Sequence, residues 1–244
     1  MAGTKLLVSD PDAKSYRRYR ILLPMEATGR PEAKVPEPEE RGYPRDDDLY
    51  QLFVRLDGIE PLIWRRLLVS KQTGLPRLHL ILQELMGWLD YHLHRFEVGD
   101  GVAFAMPSVE DFSPLPIDYR LLTLDQIAPQ EGACFRYVYD YGDDWIHEIT
   151  VENRRRPVPA AATPVVLEGR RATPPEDVGG PHGYQDLLEV LQDPEHREHE
   201  RYRVWAGARF DPERFDVAAV NRRLARLPRT NRTALRIVTE RYRG

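Results

Sequence analysis

The chain of 244 residues has 41% apolar residues, a formal net charge of −4 and one cysteine, Cys134. A core of this size needs no covalent staple, and a lone cysteine excludes an internal disulfide and every multi-cysteine zinc spacing. No apolar run approaches the roughly 20 residues of a bilayer span, and no basic start with an apolar signal core is present, so a cytoplasmic protein without a membrane partner is expected.

Charge is unevenly placed. Glu37, Glu39, Glu40, Asp46, Asp47 and Asp48 form an early acidic block, whereas residues 200–244 hold twelve arginines against five acidic residues. The first segment with any pattern, Ser15 to Leu23, ends at Pro24 and reads equally as helix or strand. From Arg30 to Asp48 prolines alternate with acids, a composition too polar to offset ordering entropy, and a linker or disordered arm is expected. The domain reading is therefore an extension over 1–48, a core over 49–155, and a loop-and-helix region over 156–244.

The core opens with Leu49 to Leu56, whose alternation places Tyr50, Leu52, Val54 and Leu56 on one strand face. Asp57-Gly58-Ile59-Glu60-Pro61 breaks it, and Ile63 to Val69 follows closely enough to pair as a hairpin. The period then changes: Leu78, Ile81, Leu82, Leu85 and Leu89 recur at helical spacing behind Pro76, predicting an amphipathic helix on one sheet face. A strand over His92 to Val98 places His92, His94, Phe96 and Val98 together. Val102 to Met106 reads as another strand, Pro107 to Pro116 as a loop, and Leu121 to Ile127 as a short helix.

Phe135, Tyr137 and Tyr139, then Trp145, His147, Ile149 and Val151, alternate with their neighbours on either side of Asp140-Tyr141-Gly142-Asp143-Asp144. This is a hairpin, with Gly142 expected to supply the turn chemistry. Arg154 to about Ala172 reads as a second loop, and Ala172 to Tyr184 contains Pro174-Pro175-Glu176-Asp177 followed by Gly179-Gly180. Helices are expected over Tyr184 to Leu191, Glu198 to Trp205, Pro212 to Leu227 with Asp211 as N-cap, and Thr233 to Tyr242. Strands, a helix, more strands and a hairpin make an α+β fold: a mostly antiparallel sheet with a packed amphipathic helix, followed by a helical C-terminal region.

Three segments, Leu85 to Phe96, Tyr139 to Glu152 and Pro174 to Tyr184, taken together resemble the Ri-plasmid ORF-three-like family. The likeness runs from about Tyr50 to Leu227 and takes in Trp205-Ala206-Gly207 and Phe210 to Asp216. It implies an α+β fold, bacterial origin and an association with mobile DNA, since the family includes an insertion-element passenger labelled resolvase-like (TnpR-like). Family members often carry cysteines around the Pro-Pro-Glu-Asp motif. Here Leu167, Thr173 and Val178 stand in that region, so any site those cysteines make in relatives is absent.

Two kinds of chemistry compete. Asp140, Asp143, Asp144, His147, Glu176 and Asp177 offer carboxylates and an imidazole for a divalent metal and hydrolysis by activated water, with His92, His94, Asp144 and His147 as metal-ligand candidates. Their bland alternatives are turn aspartates bonded to local backbone, a core histidine bonded to an acid of the Pro-Pro-Glu-Asp loop, and a helix-entry loop. The C-terminal arginines Arg222, Arg223, Arg226 and Arg229, with Tyr202, Trp205 and Tyr242 nearby, could neutralise phosphates, or could be a solvated helix face. Cys134 opens a strand with no histidine near it in sequence and reads as a small buried hydrophobe, and no Gly-x-Ser-x-Gly elbow exists. The first functional reading is a non-catalytic accessory protein of mobile elements, associated with DNA through those arginines or with a protein partner. The alternative is a metal-dependent hydrolase or nuclease using Asp140, Asp144, His147 and Glu176 or Asp177.

Overall fold

The computed structural model describes residues 5–8, 17–20, 49–99, 101–106, 117–155 and 164–241. The acidic proline-rich arm, the loop Pro107 to Pro116 and most of the Ala/Pro stretch after Arg155 lie outside these residues. Ten strands are seen among the described residues: β1 (Lys5–Val8), β2 (Arg17–Arg20), β3 (Leu49–Leu56), β4 (Trp64–Ser70), β5 (His94–Val98), β6 (Val102–Ala105), β7 (Ile117–Asp118), β8 (Cys134–Tyr139), β9 (Trp145–Arg155) and β10 (Val165–Arg170). Six α-helices accompany them: α1 (Leu75–Met86), α2 (Leu124–Ile127), α3 (Gly180–Gln192), α4 (His199–Trp205), α5 (Val217–Leu224) and α6 (Asn231–Arg241). The short segment Ser15 to Leu23 thus contains a strand, β2, which pairs with β1 apart from the main sheet.

The main sheet has eight strands in the order β10-β4-β3-β9-β8-β5-β6-β7, antiparallel except for β6 with β7. The fold is α+β, as the alternating and helical periods imply. Parity decides the two faces. Leu52, Val54 and Leu56 of β3 and Trp145, His147, Ile149 and Val151 of β9 are buried, while Arg55, Arg136 and Glu148 face outward and pair across strands. Each fully buried aliphatic or aromatic side chain on the inner face contributes roughly 1.5–3 kcal/mol through its removal from water.

Helix α1 covers this face and is itself covered. Ten of its twelve residues are buried, because α5 and α6 pack on its outer side. It stops at Met86, where Gly87 adopts the left-handed cap conformation (φ 81°), so Leu89 leaves the helical stripe and stands exposed.

Three further elements depart from the sequence pattern. β10 arises within the region read as loop and pairs with β4, with a bulge between Val166 and Glu168, so the C-terminal part contributes an edge to the sheet. Its six residues adjoin the Ala/Pro stretch and leave only Val166 deeply buried, too weak an alternation to announce a strand. Helix α5 begins at Val217 rather than Pro212: Asp216 caps it by accepting the Ala219 N–H at 2.8 Å, whereas Asp211 closes a separate turn by accepting the Glu213 N–H at 3.0 Å. Cys134 is half-buried, its Sγ 3.3 Å from the Thr150 hydroxyl. Among the described residues no helix is long and apolar enough to cross a membrane.

Two core histidines stay neutral because burial penalises their charged forms. His147 is pushed down to about 4, and His94 is pushed well below the ordinary value of 6.5 by burial and by His79. The unfolded chain therefore takes up protons that the folded chain refuses, so stability is full above about pH 6.5 and falls as pH drops toward 4. Between pH 7 and 5, His147 alone should remove ~2 kcal/mol from the unfolding free energy. Urea titrations across that range should show this slope, and it should shrink in His147→Gln; equal slopes in the two proteins would refute the assignment.

Candidate functional site

Three loops meet at one end of the sheet: residues 87–93 between α1 and β5, residues 140–144 between β8 and β9, and residues 171–179 before α3. They carry the three sequence segments singled out above. The turn between β8 and β9 is closed by Asp140, whose Oδ1 accepts the N–H of Gly142 at 2.9 Å, while the Asp144 N–H donates to the Asp140 carbonyl at 2.7 Å. Its left-handed positions are Asp140 (φ 59°) and Asp144 (φ 53°), so aspartate supplies the turn conformation expected of Gly142. Aspartate tolerates this region better than most residues because its side chain bonds the adjacent backbone.

The loop before α3 is seated on that turn by glycine. A Cβ on Gly180 would lie 2.5 Å from the Asp143 carbonyl oxygen, and one on Gly183 would lie 1.9 Å from the Val178 carbonyl oxygen. Close backbone approach therefore explains Gly180 and Gly183, and a left-handed φ of 93° explains Gly179. The Gly179 N–H also donates to Asp143 Oδ2 at 3.2 Å.

These contacts gather His92, Asp140 and Asp177, whose ligand atoms lie within 4.8 Å of one another. His92 Nε2 is 2.9 Å from Asp177 Oδ1 and 3.4 Å from Asp140 Oδ2. Side-chain exposures of 30%, 11% and 67% for His92, Asp140 and Asp177 give the group a buried floor and an open side. Leu89, Tyr91 and Leu93 are exposed on the loop that carries His92.

The other nominated residues sit differently. Glu176 is adjacent, but its oxygens accept from the Tyr139 hydroxyl at 2.6 Å and the Leu89 N–H at 2.8 Å. Asp143 supports Gly179, and Asp144 is exposed and outside the group. His147 lies in the core: its Nδ1 faces the carbonyls of Tyr137 and Trp145, both at 3.1 Å, rather than an acid of the Pro-Pro-Glu-Asp loop. The inward parity of β9 carries it away from the turn, and His92 takes the imidazole position instead.

His92 and His94 do not act as a strand pair, because β5 begins only at His94. His94 joins a second, fully buried group with His79 and Asp90. There the two imidazoles stack at 3.6 Å with planes 3° apart. Imidazole lone pairs lie in the ring plane, so parallel rings cannot aim at one ion. His79 Nδ1 meets the Tyr137 hydroxyl at 2.8 Å and its Nε2 meets Asp90 Oδ1 at 2.9 Å, while Arg241 pairs with the other Asp90 oxygen. His94 Nε2 meets the Tyr119 hydroxyl at 3.0 Å. This hub ties α1, β5, β8 and α6 together. Sequence reasoning missed it; the signal was His79 and Gln83, four apart in an otherwise apolar helix, both now facing Tyr137.

Of the nominated arginines, Arg223 is engaged by α1, its Nη2 donating to the Glu84 carbonyl at 2.9 Å and its Nε lying 3.2 Å from the Glu84 carboxylate. Arg222, Arg226 and Arg229 are exposed.

The model of the plasmid pRiA4b ORF-3-like protein family matches residues 48–219, the whole of the main sheet and the converging loops. The chain belongs to this family. An uncharacterised protein, y4hQ of Sinorhizobium fredii (strain NBRC 101917 / NGR234), is 42% identical over 174 residues, 70% of this chain and 85% of that protein. The crystal structure of MM3350, a protein of unknown function from Methanosarcina mazei Go1, is similar with a TM-score of 0.61 and 34% identity, covering 69% of this chain and 95% of that one. All three family segments of the sequence lie at the loop junction, so the site is a property of the matched region and not of the N-terminal arm.

If glycine is required there for packing, Gly183→Ala should destabilise the protein by about 3 kcal/mol, the upper end for overpacking. Urea unfolding measures this; an unchanged midpoint would show that the helix entry can shift freely.

Proposed function

We propose that the protein binds a divalent transition-metal ion through His92, Asp140 and Asp177 and uses it for hydrolysis. The observation that carries this reading is the meeting of one imidazole and two carboxylates, from three separate loops, at a site open on one side. An imidazole with two carboxylates suits manganese, iron or zinc better than calcium, which prefers oxygen ligands alone. Three protein ligands leave coordination positions for water and substrate, the arrangement through which such ions activate water. The exposed Leu89, Tyr91 and Leu93 supply an apolar surface for a substrate beside the ion. A cytoplasmic setting accords with the lone, half-buried cysteine.

Calorimetric titration with Mn2+ and Zn2+ should give one equivalent bound, with binding abolished in His92→Ala and Asp140→Asn. Hydrolysis of an activated phosphodiester should follow metal occupancy. Wild-type protein that binds neither ion at millimolar concentration would rule the reading out.

A second reading, a DNA-associated accessory protein carried by mobile elements, rests on Arg222, Arg226 and Arg229. All three stay exposed at the end of α5 and beyond it. On this reading affinity for duplex DNA falls steeply with salt, and the triple alanine variant lowers the slope of log K against log salt by about 0.9 for each phosphate that is no longer neutralised. Salt-independent binding, or none, would remove it.

A further inference from the structure

The metal reading leaves Glu176 and Tyr139 without a role, yet both lie at the point where the three loops meet. Tyr139 is fully buried at the end of β8, stacked on Trp88 at 5.0 Å, and its ring stands edge-on to His92 at 5.8 Å. Its hydroxyl is doubly used: it accepts the Tyr91 N–H at 3.0 Å and donates to Glu176 Oε1 at 2.6 Å. Glu176 Oε2 accepts the Leu89 N–H at 2.8 Å. One carboxylate and one phenol therefore grip the His92 loop on both sides of Asp90 and bind it to the segment that presents Asp177. Beneath them the Trp88 indole N–H donates to the Pro174 carbonyl at 3.0 Å, fixing the same segment from the other side.

We propose that Glu176 and Tyr139 are positioning residues of the cation site: together they hold His92 and Asp177 at ligand distance without ligating the ion. This rests on the metal reading above. Glu176 is suited to the role because both of its oxygens are occupied by donors. Asp177, its neighbour, has a left-handed φ of 58° that turns its carboxylate toward His92 instead. The chemistry matches the outer hydrogen bonds that orient ligands at metal sites, whose removal lowers affinity by about 10- to 100-fold.

The test is a set of full-length variants titrated with Mn2+: Glu176→Ala, Glu176→Gln, Tyr139→Phe and Glu176→Ala with Tyr139→Phe. The proposal expects Mn2+ affinity to fall about 10- to 100-fold in Glu176→Ala and in Tyr139→Phe at unchanged one-ion stoichiometry. Because the Tyr139–Glu176 bond is common to the two groups, the loss in the double variant should be smaller than the product of the two single losses. Glu176→Gln, which keeps an acceptor for the Leu89 N–H, should recover part of the affinity. Amide hydrogen exchange at Leu89 and Tyr91, read without metal, should accelerate in Glu176→Ala, which a general fall in stability would not confine to those two amides. Wild-type affinity in Glu176→Ala and Tyr139→Phe overturns the proposal and leaves the metal reading standing. Complete failure to bind the ion in Glu176→Ala and in Glu176→Gln, with Tyr139→Phe unaffected, also overturns it by making Glu176 a ligand. Absence of Mn2+ binding in the wild type overturns both.

Discussion

The guanidinium of Arg65 is the pin on which the loop junction hangs. Arg65 is wholly buried on β4, yet among the described residues no carboxylate is bonded to it; its Nη atoms donate to the carbonyls of Trp64, Arg170 and Arg171 and to the Thr173 hydroxyl, at 2.6–3.1 Å. Its face rests 3.8 Å from the centre of the Phe215 ring. Burial lowers its pKa to about 9, which still leaves it charged at neutral pH. A buried cation without a counterion is costly, and only a planar fork with several donors, backed by an aromatic face, can offset that cost. Gly169 is part of the same arrangement, since a Cβ there would lie 2.6 Å from Phe215 and 2.8 Å from the Arg65 stem. The bonds made by Arg65 end the edge strand β10 and fix residues 170–173, and so set where Pro174, Glu176 and Asp177 emerge.

From that fixed segment a ladder of rings runs from core to surface. His147 stands edge-on to Trp88 at 5.3 Å, Trp88 stacks on Tyr139, and Tyr139 meets His92. The ladder separates two histidine environments by two intervening rings, Trp88 and Tyr139. His147, inside, is held neutral by desolvation and faces backbone carbonyls, whereas His92, at the rim, faces two carboxylates. Strand parity turns His147 into the sheet's buried face, whereas the loop before β5 holds His92 at the rim beside two carboxylates. Burial also raises the pKa of the Tyr139 hydroxyl, with Glu176 adding to the effect, so the phenol stays protonated and keeps its donor for Glu176.

The parts legible in the sequence are those governed by neighbours along the chain. Alternation through Phe135 to Tyr139 and Trp145 to Val151 fixes the buried face of the hairpin, and the spacing of Leu78, Ile81, Leu82 and Leu85 fixes α1. What local pattern cannot give is which loops meet. His92 lies 48 residues from Asp140 and 85 from Asp177, and their approach depends on β5 pairing with β8 and on Gly180 seating against Asp143. The same limit hid β10, whose partner β4 is about a hundred residues earlier; the place of His147 is legible, because its alternation with Trp145, Ile149 and Val151 puts it on the buried face. Asp140, Asp177 and His92 are each legible as ligand candidates, the two acids from their turn and loop and His92 from its pairing with His94; that these three meet, and that His94 does not join them, is not.

The conformations of the acidic residues also bear on the proposed cation site. Among the described residues five non-glycine positions adopt a left-handed φ, and four are aspartates at these loops: Asp90, Asp140, Asp144 and Asp177. Glycine would satisfy the backbone more easily at each. Choosing aspartate at positions 140 and 177 brings two carboxylates together, and like charges so close raise the energy of the folded state unless something offsets them. Asp90 has its offset in Arg241 and His79. Asp140 and Asp177 have only His92 between them, a single imidazole for two carboxylates, and no arginine or lysine among the described residues pairs with either. On the proposed metal reading, a divalent ion at that point would supply the missing positive charge and would make a ligand set of the three side chains.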